Sequence, residues 1–430
     1  MRPGLSRFTS FFVILACLGL LARVGIVVLA GNQLSNSLSG IGDAPAYVRL
    51  ADSLYAGKGF SYVGQPSAFR PPLYPLLLAG AHVVFGKYYL LAIRILQLLA
   101  GIATAWISAR TAATVWGPEA HARCFAWVLV FPTLLYFTGE ILTEAFASLL
   151  TVSFFYFLVR TDERRSGAVG MGVVSGIACL LRFNTIFFPL VAAWRIFSSL
   201  AAARRWRALL AVAAIPLTFL MPWMIRNLIV FDGQVIYSTH TGMDLVEGIL
   251  EPEGRADKEQ QQEIIRQAGW VMQGLEREDA RRLLYPSEPV LNQHAMAAAK
   301  RLWMNAGWEG VVVMVKKIGY FWLSADQFKG LATFSFHVRL VRLAGVLVYW
   351  AALVMSCFGI RRLYRIDPRL AVTFIIYFSI ATCLHLLFAM NTRLRVPLVD
   401  PLLCVLMSFP FRAAEGKRGE ATRIEVPVSA

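Results

Sequence analysis

The chain is 430 residues long and 57% apolar, with only 16% charged residues and a mean hydropathy of +0.57. A soluble globule of that composition would lack the charged surface that keeps it dissolved, and a disordered chain would be depleted in the 11 Trp, 14 Tyr and 29 Phe found here, so the sequence reads as an all-α polytopic membrane protein. The net charge of +16 (42 basic minus 26 acidic) needs no nucleic-acid partner, because cytoplasmic loops with a positive-inside bias give the same excess.

Residues 8–30 follow Arg2 and Arg7 and form the first span, running from inside to outside. The run is longer than the ~7–15 apolar residues of a signal peptide, so it is read as a retained helix. Residues 31–89 then lie outside. There, Gly42-Asp43-Ala44-Pro45-Ala46-Tyr47 leads into a helical stretch over 48–55. Asp43 has two readings. It suits an N-cap, and it also suits a catalytic base, because a carboxylate beside the membrane exit is partly desolvated. Phe69-Arg70-Pro71-Pro72-Leu73-Tyr74-Pro75 opens a short helix over 71–86, too short for a span and placed at the outer surface. Arg70 fits either an interfacial anchor or a phosphate clamp.

Further spans are expected at 90–114, 122–138, 144–160, 167–182, 184–198, 208–230, 338–360, 370–390 and 396–411, making ten in all. Ten is the count that puts Arg160, Arg164, Arg165, Arg195, Arg204, Arg205, Arg207, Arg361, Arg362, Arg365, Arg369 and the tail with Arg412, Lys417 and Arg418 inside. It also puts Glu140, Glu144, Arg182, Asn184, Arg226, Asn227, Arg393 and Arg395 at outer turns. Carboxylates this close to hydrocarbon suggest function, and arginines on the outer face run against the charge bias. Together with Arg70 they form a rim suited to a phosphate head group. Arg23, Arg94 and Arg110 fall in apolar runs and are expected towards helix ends.

The long loop from Asp232 to Glu309 holds 13 acidic and 8 basic residues, a balance of −5 that leaves +21 elsewhere. Within it, 258–273 reads as a polar helix broken by Pro286 and Pro289, and 291–304 as a second helix. The segment 308–323, with Lys316 and Lys317 among apolar residues, reads as interfacial and amphipathic. His240 is a lone loop histidine, and neither His82, His294, His337 and His385 nor the six cysteines show metal-ligand spacing. The expected organisation is a transmembrane module over 1–230 containing the first external loop (31–89), an external region over 231–335, C-terminal spans over 336–411 and a cytoplasmic tail over 412–430.

The pieces Asp43-Ala-Pro-Ala-Tyr47, Arg70-Pro-Pro-Leu-Tyr-Pro75, Leu142-Thr-Glu144, Leu181-Arg182-Phe-Asn184, Pro222-Trp-Met-Ile-Arg226-Asn227 and Arg393-Leu-Arg395-Val-Pro397, in this order and on one side of the membrane, resemble the GT-C superfamily of membrane glycosyltransferases. The likeness is to bacterial relatives of protein O-mannosyltransferases and lipid A aminoarabinose transferase. It implies a GT-C-type helical bundle in the inner membrane, with an active site facing the periplasm. The implied activity is an inverting transfer of a hexose or pentose from a polyprenyl-phosphate donor to a glycan, lipid or protein acceptor. By the resemblance, Asp43 is the base or acceptor-orienting group and Glu144 a second catalytic acid. Arg70, Arg393 and Arg395 match basic residues that face the donor phosphate; Arg182 joins them by its position at an outer turn, and Tyr47, Tyr74, Arg226, Asn227 and His240 are read as acceptor-binding or site-shaping residues. No cofactor is required, although the family leaves room for a divalent metal. Asp43 is followed by Ala44 where several relatives carry an Asp-Glu pair, so a second local carboxylate must come from elsewhere or be absent. A flippase and a non-catalytic glycan-assembly protein are the rival readings; a flippase would gather its charges near the midplane of the spans, whereas here they gather at the outer turns.

Overall fold

The computed structural model describes residues 3–34, 43–62, 64–161, 166–250, 288–323, 336–388 and 392–410. The expected helix over 258–273, the basic residues Arg164 and Arg165 and the tail after 410 lie outside the described residues. Apart from one antiparallel pair, β1 (Ser61–Tyr62) with β2 (Gln65–Pro66), the regular structure described is helical.

In chain order the helices are α1 (Pro3–Ala30), α2 (Asp43–Tyr55), α3 (Leu73–Phe85), α4 (Tyr89–Trp116), α5 (Ala120–Val130), α6 (Pro132–Tyr136), α7 (Glu144–Leu158) and α8 (Ser166–Leu181). They continue as α9 (Phe188–Ser199), α10 (Ala202–Val230), α11 (Thr241–Leu250), α12 (Glu288–Asn305), α13 (Gly307–Leu323), α14 (Phe336–Ile366), α15 (Pro368–Leu387) and α16 (Thr392–Met407). Helices occupy all ten segments read as spans. Among the described residues, five stretches are long and apolar enough to cross a membrane on their own: Ser10–Ala30, Leu73–Trp116, Ala202–Val230, Arg339–Ile366 and Pro368–Leu387.

The 44 residues of Leu73–Trp116 would measure about 66 Å as one straight helix, twice the hydrocarbon thickness of a bilayer. They are not straight. Gly86 adopts φ 52° at the end of α3, a left-handed value that glycine reaches without strain. A 3₁₀ turn over Gly86–Tyr88 then separates α3 from α4.

Buried arginines hold the breaks in the bundle. Phe131 is extended, the conformation favoured before a proline, and Pro132 opens α6. Pro132 has no N–H to give the carbonyl of Val128 four residues earlier. Arg23, 1% exposed, fills the gap: it donates to the carbonyls of Val128 (2.9 Å), Leu129 (3.1 Å) and Leu134 (3.0 Å) and to the Thr138 hydroxyl (2.6 Å). The expectation that Arg23 sits at a helix end is therefore replaced by an interior role. Arg94, near the start of α4, ties the exit of α1 to the turn before α7 by donating to the carbonyls of Gly31, Gln33 and Gly139.

The described parts of the region expected to be external, 232–250 and 288–323, are more structured than their composition suggests. The second expected helix is α12, with Pro289 in its first turn, where proline is tolerated. Segment 308–323 falls within α13, yet Lys317 is fully buried rather than interfacial. Its ammonium donates to the carbonyls of Gly248, Leu386 and Phe388, so it closes the C-terminal ends of α11 and α15 together.

Candidate active site

The C-terminal ends of α1, α8, α10 and α15 and the N-terminal ends of α4, α7 and α16 come to the same end of the bundle. There a cleft of about 160 Å³ opens, lined by Asp43, Tyr47, Arg70, Arg182, Asn184, His240, Asp244, His385 and Arg393, with apolar walls from Leu181, Phe183, Ile186, Leu384, Phe388 and Leu394.

Two carboxylates and three guanidiniums are interlocked at the cleft. Asp43 Oδ1 lies 2.5 Å from Arg70 Nη2 and its Oδ2 lies 2.7 Å from Arg393 Nη2. Asp43 thus opens α2 without spending its carboxylate on a cap. Glu144, 1% exposed at the start of α7, accepts from Arg393 Nε through Oε1, and Arg182 Nη1 lies 3.2 Å from the same oxygen. Glu144 Oε2 has no hydrogen-bond partner among the described residues. Within this interlocked cluster the three cations exceed the two anions by one charge, while Asp244 lines the cleft outside it; the surplus of the cluster suits an anion. Burial alone would raise the Asp43 pKa, but Arg70 and Arg393 outweigh it and hold the carboxyl well below the usual range. Burial likewise opposes the charge on Arg70, and Asp43 overcomes it, so the Arg70 pKa is raised.

Aromatic rings stiffen this arrangement. The Arg70 guanidinium sits 5.7 Å from the Tyr47 ring centroid and 5.1 Å from that of Phe69. Tyr47 packs edge-on against Tyr74, with centroids 5.0 Å apart. Tyr74 is fully buried, and its hydroxyl donates to Gln97 Oε1 at 3.3 Å, so it supports Tyr47 from behind rather than facing the cleft.

Besides Tyr74, three of the sequence-predicted residues stand elsewhere. Arg395 does not join the phosphate-facing set. It is 1% exposed, its Nε is 3.3 Å from Asp400 Oδ1, its Nη1 donates to the carbonyl of Phe321, and its guanidinium lies over the Tyr349 ring. Residues two apart on a helix do not share a face, so with Arg393 at the cleft Arg395 turns into the bundle. Arg226 and Asn227 hold backbone. Arg226 donates to the carbonyls of Phe60 and Ser67, both at 2.8 Å, and Asn227 Nδ2 donates to those of Ile236 and Tyr237. They anchor the loops that carry Arg70 and His240 to the end of α10.

Sequence reasoning passed over Asp244, His385 and Glu288, and gave Asn184 no role. Glu288 Oε2 accepts from the Ala68 N–H (2.8 Å) and the Thr239 hydroxyl (2.7 Å), joining the segments on either side of the cleft. Both side-chain amide atoms of Asn184 are buried without a partner among the described residues. His385 Nδ1 is 2.6 Å from the Ala381 carbonyl within α15. Asp244 stands one helical turn after His240, with its Oδ1 3.5 Å from His240 Nε2.

The donor set does not fit a metal. Both oxygens of Asp43 and one of Glu144 already face guanidiniums, and no group of three or more His, Cys, Asp or Glu that could hold an ion occurs among the described residues.

No protein-family model matches the chain, and no curated protein sequence does. Solved structures do. The archaeal oligosaccharyltransferase AglB from Archaeoglobus fulgidus, in complex with an inhibitory peptide and a dolichol-phosphate, aligns at TM-score 0.50 and 12% identity over 93% of this chain and 50% of that one. The apo form of the Archaeoglobus fulgidus oligosaccharyltransferase aligns at TM-score 0.51 and 13% identity over 92% and 50%. ArnT from Cupriavidus metallidurans bound to undecaprenyl phosphate aligns at 0.40 and 14% identity over 92% and 78%. The chain spans about half the length of the oligosaccharyltransferase. The likeness to that enzyme shows the fold alone, a GT-C-type helical bundle.

Proposed function

We propose that this chain is a glycosyltransferase that moves a hexose or pentose from a polyprenyl-phosphate donor to a glycan, lipid or protein acceptor, with inversion, at the periplasmic face of an inner membrane. The observation that carries the reading is the convergence of Arg70, Arg182 and Arg393 on Asp43 and Glu144 in a cleft with apolar walls. An isoprenoid tail fits the apolar side of such a cleft. The surplus positive charge fits the phosphate, whose negative charge grows as it departs. A fold neighbour solved with a dolichol-phosphate supports the same donor class.

In the transfer, an acceptor hydroxyl oxygen attacks the anomeric carbon from the face opposite the phosphate. The bond from that carbon to the phosphate oxygen breaks, and its electron pair stays on the phosphate, where preorganised guanidiniums stabilise it. Asp43 fixes Arg70 and Arg393 against the phosphate, while Glu144 fixes Arg182 and Arg393. Tyr47 and His240 flank the acceptor side.

The test incubates the purified full chain with radiolabelled polyprenyl-phosphate sugars and membrane extract, then identifies the labelled product. Wild type yields a labelled acceptor, and Asp43→Asn yields none above background. An Asp43→Asn protein that folds and transfers at the wild-type rate removes Asp43 from the mechanism.

A further inference from the structure

Glycosyl transfer to a hydroxyl releases a proton, and the arrangement of the cleft leaves Asp43 a poor group to take it. Each Asp43 oxygen already faces a guanidinium. The other cleft carboxylate outside the bundle core is Asp244 on α11, whose side chain is 37% exposed and therefore reachable. Among the described residues its ion-pair neighbour is His240 and no arginine lies within ion-pair distance.

We propose that Asp244 accepts the proton of the acceptor hydroxyl, with His240 beside it, while Asp43 serves as the fixed partner of the arginines; this rests on the transfer reading above. The acceptor O–H bond breaks as the bond from oxygen to the anomeric carbon forms. The proton passes to an Asp244 carboxylate oxygen, and the electron pair of the cleaved bond leaves with the phosphate.

A general base must be held in place, and α11 is wedged on two sides. A Cβ on Gly242 would lie 2.7 Å from the Asn292 carbonyl oxygen and the Met296 nitrogen of α12. A Cβ on Gly248 would lie 2.0 Å from the Leu387 carbonyl oxygen at the end of α15. The absence of side chains at these two positions lets the backbone of α11 touch both neighbours, and Lys317 fastens the Gly248 carbonyl to the carbonyls of Leu386 and Phe388. Asp244 lies between these contacts, two residues after Gly242.

The electrostatic surroundings agree. The part of the side chain that the cleft does cover raises the Asp244 pKa, Arg70 pulls it down and Asp43 pushes it up, leaving it at about 7, close to where a base is most effective at neutral pH. Arg182, Arg393 and His385 also line the cleft. Helix α12, packed closely on α11, presents Asn292 to the Gly242 N–H and Trp303 to the Leu245 carbonyl, while its His294, Lys300 and Arg301 are exposed.

The experiment uses the full chain in lipid nanodiscs and compares wild type with Asp244→Asn and Asp244→Glu. Binding of undecaprenyl phosphate is one readout, and the pH dependence of transfer from the labelled donors is the other. Asp244→Asn is expected to bind undecaprenyl phosphate within roughly twofold of wild type, to lose about 10²- to 10⁴-fold in turnover, and to lose the drop in rate on acidification through pH ~7. Asp244→Glu restores part of the rate and shifts that drop. The assignment is overturned by an active wild type alongside an Asp244→Asn protein with the same rate and pH profile. It is overturned as well if lipid binding and turnover fall together with no rescue by Glu, since that is a structural role. A wild type that binds undecaprenyl phosphate yet transfers no sugar at any pH sinks the transfer reading itself, and this assignment with it.

Discussion

Arg393 touches two carboxylates at once: its Nη2 lies 2.7 Å from Asp43 Oδ2 in the cleft, and its Nε donates to the buried Glu144 Oε1. One side chain from the start of α16 therefore couples the first external segment to α7, and through Glu144 to Arg182 at the end of α8. The charges are too close to behave independently. Replacing Arg393 by Met strands a fully buried Glu144 with one partner instead of two. Removing one member of a buried pair costs about 3–5 kcal/mol, so Arg393→Met should unfold at a clearly lower temperature. The double variant Glu144→Gln/Arg393→Met should be more stable than Arg393→Met alone, because the uncompensated charge is gone. Thermal unfolding of wild type, Glu144→Gln, Arg393→Met and the double variant in detergent checks this, and strictly additive losses would mean that the two residues are not coupled.

The cleft's two external carboxylates predict opposite responses to pH. The Asp43 pKa is depressed, so its contribution to stability is fully present above the unfolded value near ~3.9 and is lost only as pH falls through the lower folded value. The gap in Tm between wild type and Asp43→Asn should be the same at about pH 5 and about pH 8. The Asp244 pKa is raised to about 7, so the folded state holds a proton that the unfolded state has released, and stability falls as pH rises from ~4 through ~7. Asp244→Asn should melt above wild type at about pH 8 and converge with it near pH 4. A gap that is flat across that range would mean an unshifted Asp244.

Arg395 and Asp400 make a separate test of what the arginines of α16 do. Asp400 is fully buried, with Oδ1 facing Arg395 and Oδ2 accepting from the Thr133 hydroxyl at 2.5 Å. Arg395→Met leaves that carboxylate without its cation and should cost about 3–5 kcal/mol, whereas Arg395→Met/Asp400→Asn should recover most of the loss. Because the pair lies away from the cleft, the double variant should bind undecaprenyl phosphate like wild type. A large loss of binding in a stable double variant would return Arg395 to the phosphate site.

What could be read from the sequence follows from which forces are local. Ten apolar helical segments, the short helix after Pro72 and the gathering of Asp43, Arg70, Glu144, Arg182 and Arg393 at one end of the bundle follow from hydrophobic length and loop charge, both visible in one dimension. The facing of Arg395 was not, because a span's polar end shows where a residue lies along the membrane normal but not its rotation about the helix. Arg226 and Asn227 were found at the right end of α10, yet only the fold reveals that backbone carbonyls occupy them. Asp244 stayed hidden for another reason. Helix α11 exists against α12 and α15, held by Gly242, Gly248 and Lys317, and a ten-residue segment with two glycines reads locally as loop.

Arg23 gives a prediction about the bundle itself. Its guanidinium donates to carbonyls on either side of the break before Pro132, and a buried polar group left without a partner costs about 1–3 kcal/mol. Arg23→Met removes the donors to three carbonyls and the Thr138 hydroxyl at once, in a setting where little water is at hand to replace them. The expected result is a protein that is poorly recovered from membranes, or one whose Tm drops sharply, with Arg23→Lys intermediate because an ammonium has three donors and a narrower reach. Substituting Pro132 by Ala in the Arg23→Met background restores an N–H for the Val128 carbonyl and permits α5 to continue into α6, so it should raise the Tm of that variant while lowering that of wild type. If Pro132→Ala changes both backgrounds equally, Arg23 and the helix break are energetically unrelated.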